Sequence, residues 1–169
     1  MAKINKTYLF CLDDHKSFSE EVKKRFTDTE RYHVEIFHNR DELLSALRRD
    51  REFNRCKVVI LGIHDPKERY EITSELVTSI KKYDRRTGVI ILTPPEKADE
   101  IMKSVKFNVD AFIVRNNNSI LRIHNTVKKL ISEYNLLYYR RLRNISLYSL
   151  IVFLVIAGVV GLFTWFRLH

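Results

Sequence analysis

Glycine and proline are scarce in this chain: four glycines and three prolines in 169 residues. Two of the glycines, Gly158 and Gly161, fall in an apolar stretch near the end, so no glycine-rich loop is available to cradle a phosphate. The two cysteines, Cys11 and Cys56, are too few for a disulfide framework or a cysteine-built zinc cluster. Both sit in or beside apolar runs, where cysteine acts as a small buried hydrophobe. The six histidines (His15, His33, His38, His64, His124 and His169) are scattered. His33 and His38 have a zinc-like spacing, but no paired cysteines accompany them and their opposite parity along a strand sends them to opposite faces. The apolar run 8–12 is too short for a secretory signal core and ends in two aspartates.

The scarcest commodity is charge at the end of the chain. Residues 145–166 contain no Asp, Glu, Lys or Arg, and of 30 Lys and Arg only Arg167 lies beyond Asn144. The preceding part therefore carries 29 basic against 21 acidic residues, a net +8. That charge suits an anionic membrane surface or an acidic protein as well as nucleic acid, or a merely soluble basic surface.

Short apolar runs alternate with amphipathic stretches through the first 140 or so residues. Runs 8–12, 34–37, 58–63, 89–92 and 111–114 are brief and rich in Val, Ile and aromatics, and predict five strands. Between them, Phe18, Val22 and Phe26 repeat at helical spacing, as do Leu43, Leu44 and Leu47 behind Asn39 and Glu42, which stand at capping-box spacing. Ile72, Leu76 and Ile80 mark a third helix. Ile101, Met102 and Val105 follow Pro94 and Pro95, which favour a helix start. This alternation predicts an α/β fold with a parallel sheet covered on both faces, the third strand at its centre. Chemistry would collect at the carboxyl ends of the strands.

The fifth helical pattern (Ile120, Ile123, Val127, Leu130, Tyr134, Leu137) starts at Ser119, a candidate cap, and meets no Pro or Gly before Ala157. It is expected to run past the domain into the apolar segment, with Asn135 and Asn144 the places for any bend. The organisation expected is a domain over 1–133, a basic juxtamembrane helix extension over 134–144, a transmembrane helix over 145–166 and a short tail, 167–169.

Twenty-two residues span about 33 Å as a helix, enough for a hydrocarbon core of about 30 Å. Tyr138, Tyr139 and Tyr148 flank one end, and Phe163, Trp165 and Phe166 the other. Arg140, Arg141 and Arg143 precede the span, which predicts a single pass with the large N-terminal domain in the cytosol. The same arginines could hold anionic lipid head groups. Ala157 and Gly161, four apart, form a small-xxx-small pair suited to helix packing or a homo-oligomer.

At the predicted strand ends stand Asp13 and Asp14, Gly62, Thr93 and Arg115, with Phe112 just before the last. With the order of elements, these residues make the chain resemble the CheY-like receiver domain of bacterial response regulators. The resemblance implies a flavodoxin-like, five-stranded parallel sheet of order two-one-three-four-five. It also implies signal transduction, and a site in which paired acids hold Mg²⁺ and an aspartate ending the third strand accepts a phosphoryl group. Thr93 and Phe112 match switch positions. Aligning Gly62-Ile63-His64-Asp65-Pro66 with the family pattern puts Gly62 at the acceptor position, and Arg115 replaces the family's lysine.

Without a carboxylate nucleophile the acyl phosphate cannot form. No metal or other cofactor is then expected, Asp13 and Asp14 being weak Mg²⁺ candidates at most. A salt bridge from Arg115 to Asp13 or Asp14 is the simpler use of those charges. Asp65 and His64 are the alternative acceptors. The resulting expectation is a pseudo-receiver, not an enzyme, on the inner (cytoplasmic) membrane of a bacterium. It would act as a protein-interaction module and meet a protein partner through Ile101, Lys103, Lys106, Phe112 and Arg122. The alternatives are a structural subunit of a membrane complex, and a receiver phosphorylated at a non-standard residue. Nucleic acid is not expected, since no helix-turn-helix domain follows.

Overall fold

A computed structural model describes residues 6–13, 15–50, 55–63, 69–104 and 108–168. The described chain runs β1 (Thr7–Leu12), α1 (Lys16–Arg25), β2 (Tyr32–Phe37), α2 (Arg40–Arg49), β3 (Lys57–Gly62), α3 (Arg69–Tyr83), β4 (Gly88–Thr93), α4 (Ala98–Ser104), β5 (Ala111–Val114) and α5 (Ser119–Leu168), with a 3-10 turn, Pro95–Lys97, before α4. All five strands are parallel and lie in the order β2-β1-β3-β4-β5.

Side-chain alternation along each strand divides the core in two. Leu9, Cys11, Val58, Ile60, Ile90, Leu92 and Ile113 point to one face, under Phe18, Val22 and Phe26 of α1 and Ile123 and Val127 of α5. Phe10, Val59, Leu61, Val89 and Ile91 point to the other, under Leu43 and Leu47 of α2 and Leu76, Val77 and Ile80 of α3. The central strands β3 and β4 are buried on both faces, which is why they read as unbroken apolar runs. Gly88, at the start of β4, lets α5 approach closely: a Cβ there would stand 2.8 Å from Leu130 Cδ1.

The helix starts follow local chemistry. Asn39 caps α2, its side chain accepting from the Asp41 backbone N–H at 3.0 Å. Ser119 is not the cap of α5. It is buried in the first turn and its hydroxyl donates to the Asn116 carbonyl at 2.7 Å, while Asn118 supplies the first helical carbonyl, to Arg122 N–H. A polar Asn116-Asn117-Asn118 turn thus displaces the start that the Ser alone suggested.

The chain forms two compact units, Met1–Ile131 and Ser132–His169, and α5 passes unbroken from one to the other. It is long and apolar enough to cross a membrane. Its large apolar side chains from Ile145 to Ile156 are 47–67% exposed, with no protein surface to cover them among the described residues.

Candidate functional site

The carboxyl ends of β1, β3, β4 and β5 bring four of the sequence-predicted residues to one place. Asp13 follows β1, Gly62 ends β3, Thr93 ends β4 and Arg115 follows β5. The Arg115 backbone N–H donates to the Thr93 carbonyl at 2.8 Å, which fixes the base of the arginine against β4.

The Asp13 side chain is fully buried. Its Oδ2 accepts from Arg115 Nη2 at 2.5 Å, and its Oδ1 accepts from the His15 backbone N–H at 2.7 Å. A buried carboxylate without such partners would carry a heavy desolvation penalty. Arg115 is three-quarters buried, and its guanidinium lies over the Phe18 ring, 4.7 Å from the centroid. Arginine suits this seat because its planar group can stack on the ring and hydrogen-bond a carboxylate at once.

Gly62 is the other half of the arrangement. A Cβ built on it would stand 2.0 Å from Asp13 Oδ2, 2.6 Å from Asp13 Cγ and 3.1 Å from Arg115 Nη2. The volume that an acceptor side chain would need is filled by the ion pair itself. A Mg²⁺ ion demands several well-placed oxygens. Here Gly62 offers none and both Asp13 oxygens already accept hydrogen bonds, so these residues do not fit the metal. Among the described residues no group of three His, Cys, Asp or Glu side chains converges to hold one.

Thr93 is fully buried, and its hydroxyl donates to the Pro94 carbonyl at 3.2 Å. Phe112 is half-buried and packs on the core cluster beneath α2 and α3. Asp14, His64 and Asp65 lie outside the described residues, as do Lys106 and the side chain of Ile101. Lys103 and Arg122 are exposed. Arg140, Arg141, Arg143 and Ala157 lie exposed on α5; Gly161 is also in that helix. Sequence reasoning missed His15 and Phe18 as members of the site. The helical repeat that assigned Phe18 to the core carries no sign that its ring also supports a guanidinium.

The two cysteines are free and buried. Burial pushes the Cys11 thiol up to about 12 and the Cys56 thiol up to about 11, neither suited to nucleophilic use.

No protein-family model matches this sequence, and no curated protein sequence matches it. Solved structures do. A structure described as adenylate cyclase from Rhodopirellula baltica superposes with a TM-score of 0.63 at 17% identity, covering 81% of this chain and 95% of its own. A response regulator receiver domain protein from Clostridium thermocellum gives 0.60 at 19% identity, covering 78% and 98%. A response regulator from Thermotoga maritima gives 0.57 at 19% identity, covering 73% and 98%. Together with the sheet order and the strand-end constellation, these likenesses show that the N-terminal part of the chain has the fold of a response-regulator receiver.

Proposed function

We propose that this chain is a membrane-tethered pseudo-receiver that works as a protein-interaction module in a signalling assembly and is not switched by aspartyl phosphate. The observation that carries the reading is the Asp13–Arg115 ion pair, which occupies the space above Gly62 where an acceptor side chain would stand. A receiver with no nucleophile and a filled cleft keeps its surfaces and loses its reaction. What remains is recognition, and no enzymatic activity is assigned.

The receiver fold, which several response regulators share, supports the signalling assignment. The apolar span with arginines on one side supports a single-pass anchor in the inner membrane, domain in the cytosol, with anionic head groups near Arg140, Arg141 and Arg143. Tethering raises the effective concentration of any partner on the same membrane. The surface proposed for the partner is the one formed by α4, β5 and the first turns of α5, on which Lys103 and Arg122 are exposed and Phe112 is half-buried.

Capture from a detergent extract tests this. The full chain should retain a protein partner that a chain lacking residues 6–133 does not. Equal capture by the bare span would favour the alternative of a structural subunit held by its membrane helix, to which Ala157 and Gly161 would contribute.

A further inference from the structure

The basic charge is unevenly placed. Helix α1 and the part of α5 that covers the same sheet face (residues 119–131) carry seven Lys and Arg against two Glu. Helices α2, α3 and α4 carry seven against six. The basic excess of the helices that cover the sheet therefore lies on one side of it. On that side, a groove of about 770 Å³ opens between the end of α1 and the start of β2. Among the described residues, Lys6, Lys23 and Lys24 stand on its rim against a single acid, Glu20, and Phe26, Tyr32 and Val34 give it an apolar lining.

From this we infer that the groove binds an acidic, partly apolar peptide segment of a partner protein, laid in extended form beside the free edge of β2. Three observations choose this occupant. The rim favours negative charge, and the aromatic and aliphatic lining favours side chains over a hydrophilic anion alone. His33 belongs to the opposite face of β2 from Tyr32 and Val34, yet lines the same groove, so the groove reaches the strand's backbone. Among the described residues β2 pairs only with β1, leaving its outer N–H and C=O groups for an added strand. A phosphate-dense ligand suits the place less well. The groove adjoins the C-terminal end of α1, where the helix dipole opposes concentrated negative charge. Single carboxylates spaced along a peptide meet the lysines without that concentration.

The proposal rests on reading the chain as an interaction module, but it uses a surface apart from α4 and β5. The test uses the full chain in neutral-lipid nanodiscs and a fluorescein-labelled nine-residue peptide alternating Glu with Leu or Tyr, followed by anisotropy; empty nanodiscs are the blank. Saturable binding is expected, at least tenfold weaker in the Lys23→Glu/Lys24→Glu double variant. It should also be at least tenfold weaker for the same peptide N-methylated at alternate backbone positions, and lost when Lys replaces Glu. Three results would overturn it: no saturable binding up to about millimolar peptide, an affinity indifferent to the double variant or to N-methylation, or displacement of the peptide by ATP or dioctanoyl phosphatidylglycerol at low occupancy. Lys82→Glu, exposed on α3 and outside both surfaces, is the reference. Peptide affinity must be unchanged there, whereas the adaptor reading is judged by capture from the extract, so either can fail without the other.

Discussion

The Asp13 carboxylate and the Arg115 guanidinium, brought together from the ends of β1 and β5, meet at 2.5 Å over the bare Cα of Gly62. Each explains the other's place. A carboxylate with no exposed surface needs a cation, and the cation can lie there because no side chain rises from β3.

Breaking the pair from the arginine side leaves an uncompensated buried charge. Arg115→Ala should lower the stability of the N-terminal unit by about 3 kcal/mol, the low end for a broken buried pair because Arg115 keeps some solvent contact. Adding Asp13→Asn should recover part of that loss. Urea unfolding of the full chain in detergent, followed by aromatic fluorescence, measures both. Equal stability of wild type and Arg115→Ala would mean that the pair contributes nothing.

Restoring the missing carboxylate should not restore the reaction. In Gly62→Asp the new Cβ would overlap Asp13 Oδ2, so the ion pair must move or the strand end must shift. The expected product is a less stable protein that takes up no phosphate from acetyl phosphate and Mg²⁺, read by intact mass. Robust phosphorylation of Gly62→Asp would show that the cleft opens readily.

The buried thiols contribute to the alkaline limb of stability. Below pH 9.0, the ordinary thiol value, both cysteines are protonated in folded and unfolded chains, and their burial contributes fully. Above it the unfolded chain loses protons that the fold retains, until about 12 for Cys11 and about 11 for Cys56. Stability should therefore fall between those limits, by up to about 1.4 kcal/mol per pH unit for each thiol. The Cys11→Ala/Cys56→Ala variant should show a flatter decline between pH 8 and 10.5. Parallel declines would contradict the assignment, as would rapid thiol labelling of the native protein at pH 8.

The same burial makes a topology test simple. Cys11 and Cys56 are shielded, so a cysteine introduced by His169→Cys supplies the accessible thiol. An impermeant maleimide should label it from outside spheroplasts, and the native chain should stay unlabelled. Labelling of His169→Cys only after lysis would reverse the proposed orientation.

Much of the fold was legible because its determinants are periodic. The apolar runs gave all five strands, and the absence of Pro and Gly between Ser119 and Ala157 gave the long course of α5. Strand ends were off by one or two residues: polar residues such as Tyr32-His33 and Lys57 join the ladder, and β3 stops at Gly62, one residue before the expected Ile63. The site was half legible. The order of Asp13, Gly62, Thr93 and Arg115 could be read along the chain, and their convergence follows from parallel strands. The rotamer that swings the Asp13 carboxylate over Gly62, the His15 N–H that holds it and the Phe18 ring beneath Arg115 depend on packing between distant segments, which no local pattern encodes. The groove beside β2 has no local signature for the same reason: its lysines and its aromatic lining come from three separate stretches.

Intact-mass analysis of the full chain after incubation with acetyl phosphate and Mg²⁺ bears on the central claim most directly. The account predicts an unchanged mass, with the Asp13–Arg115 pair keeping the cleft closed. A stoichiometric phosphate adduct, abolished by Asp65→Asn or His64→Gln, would contradict it.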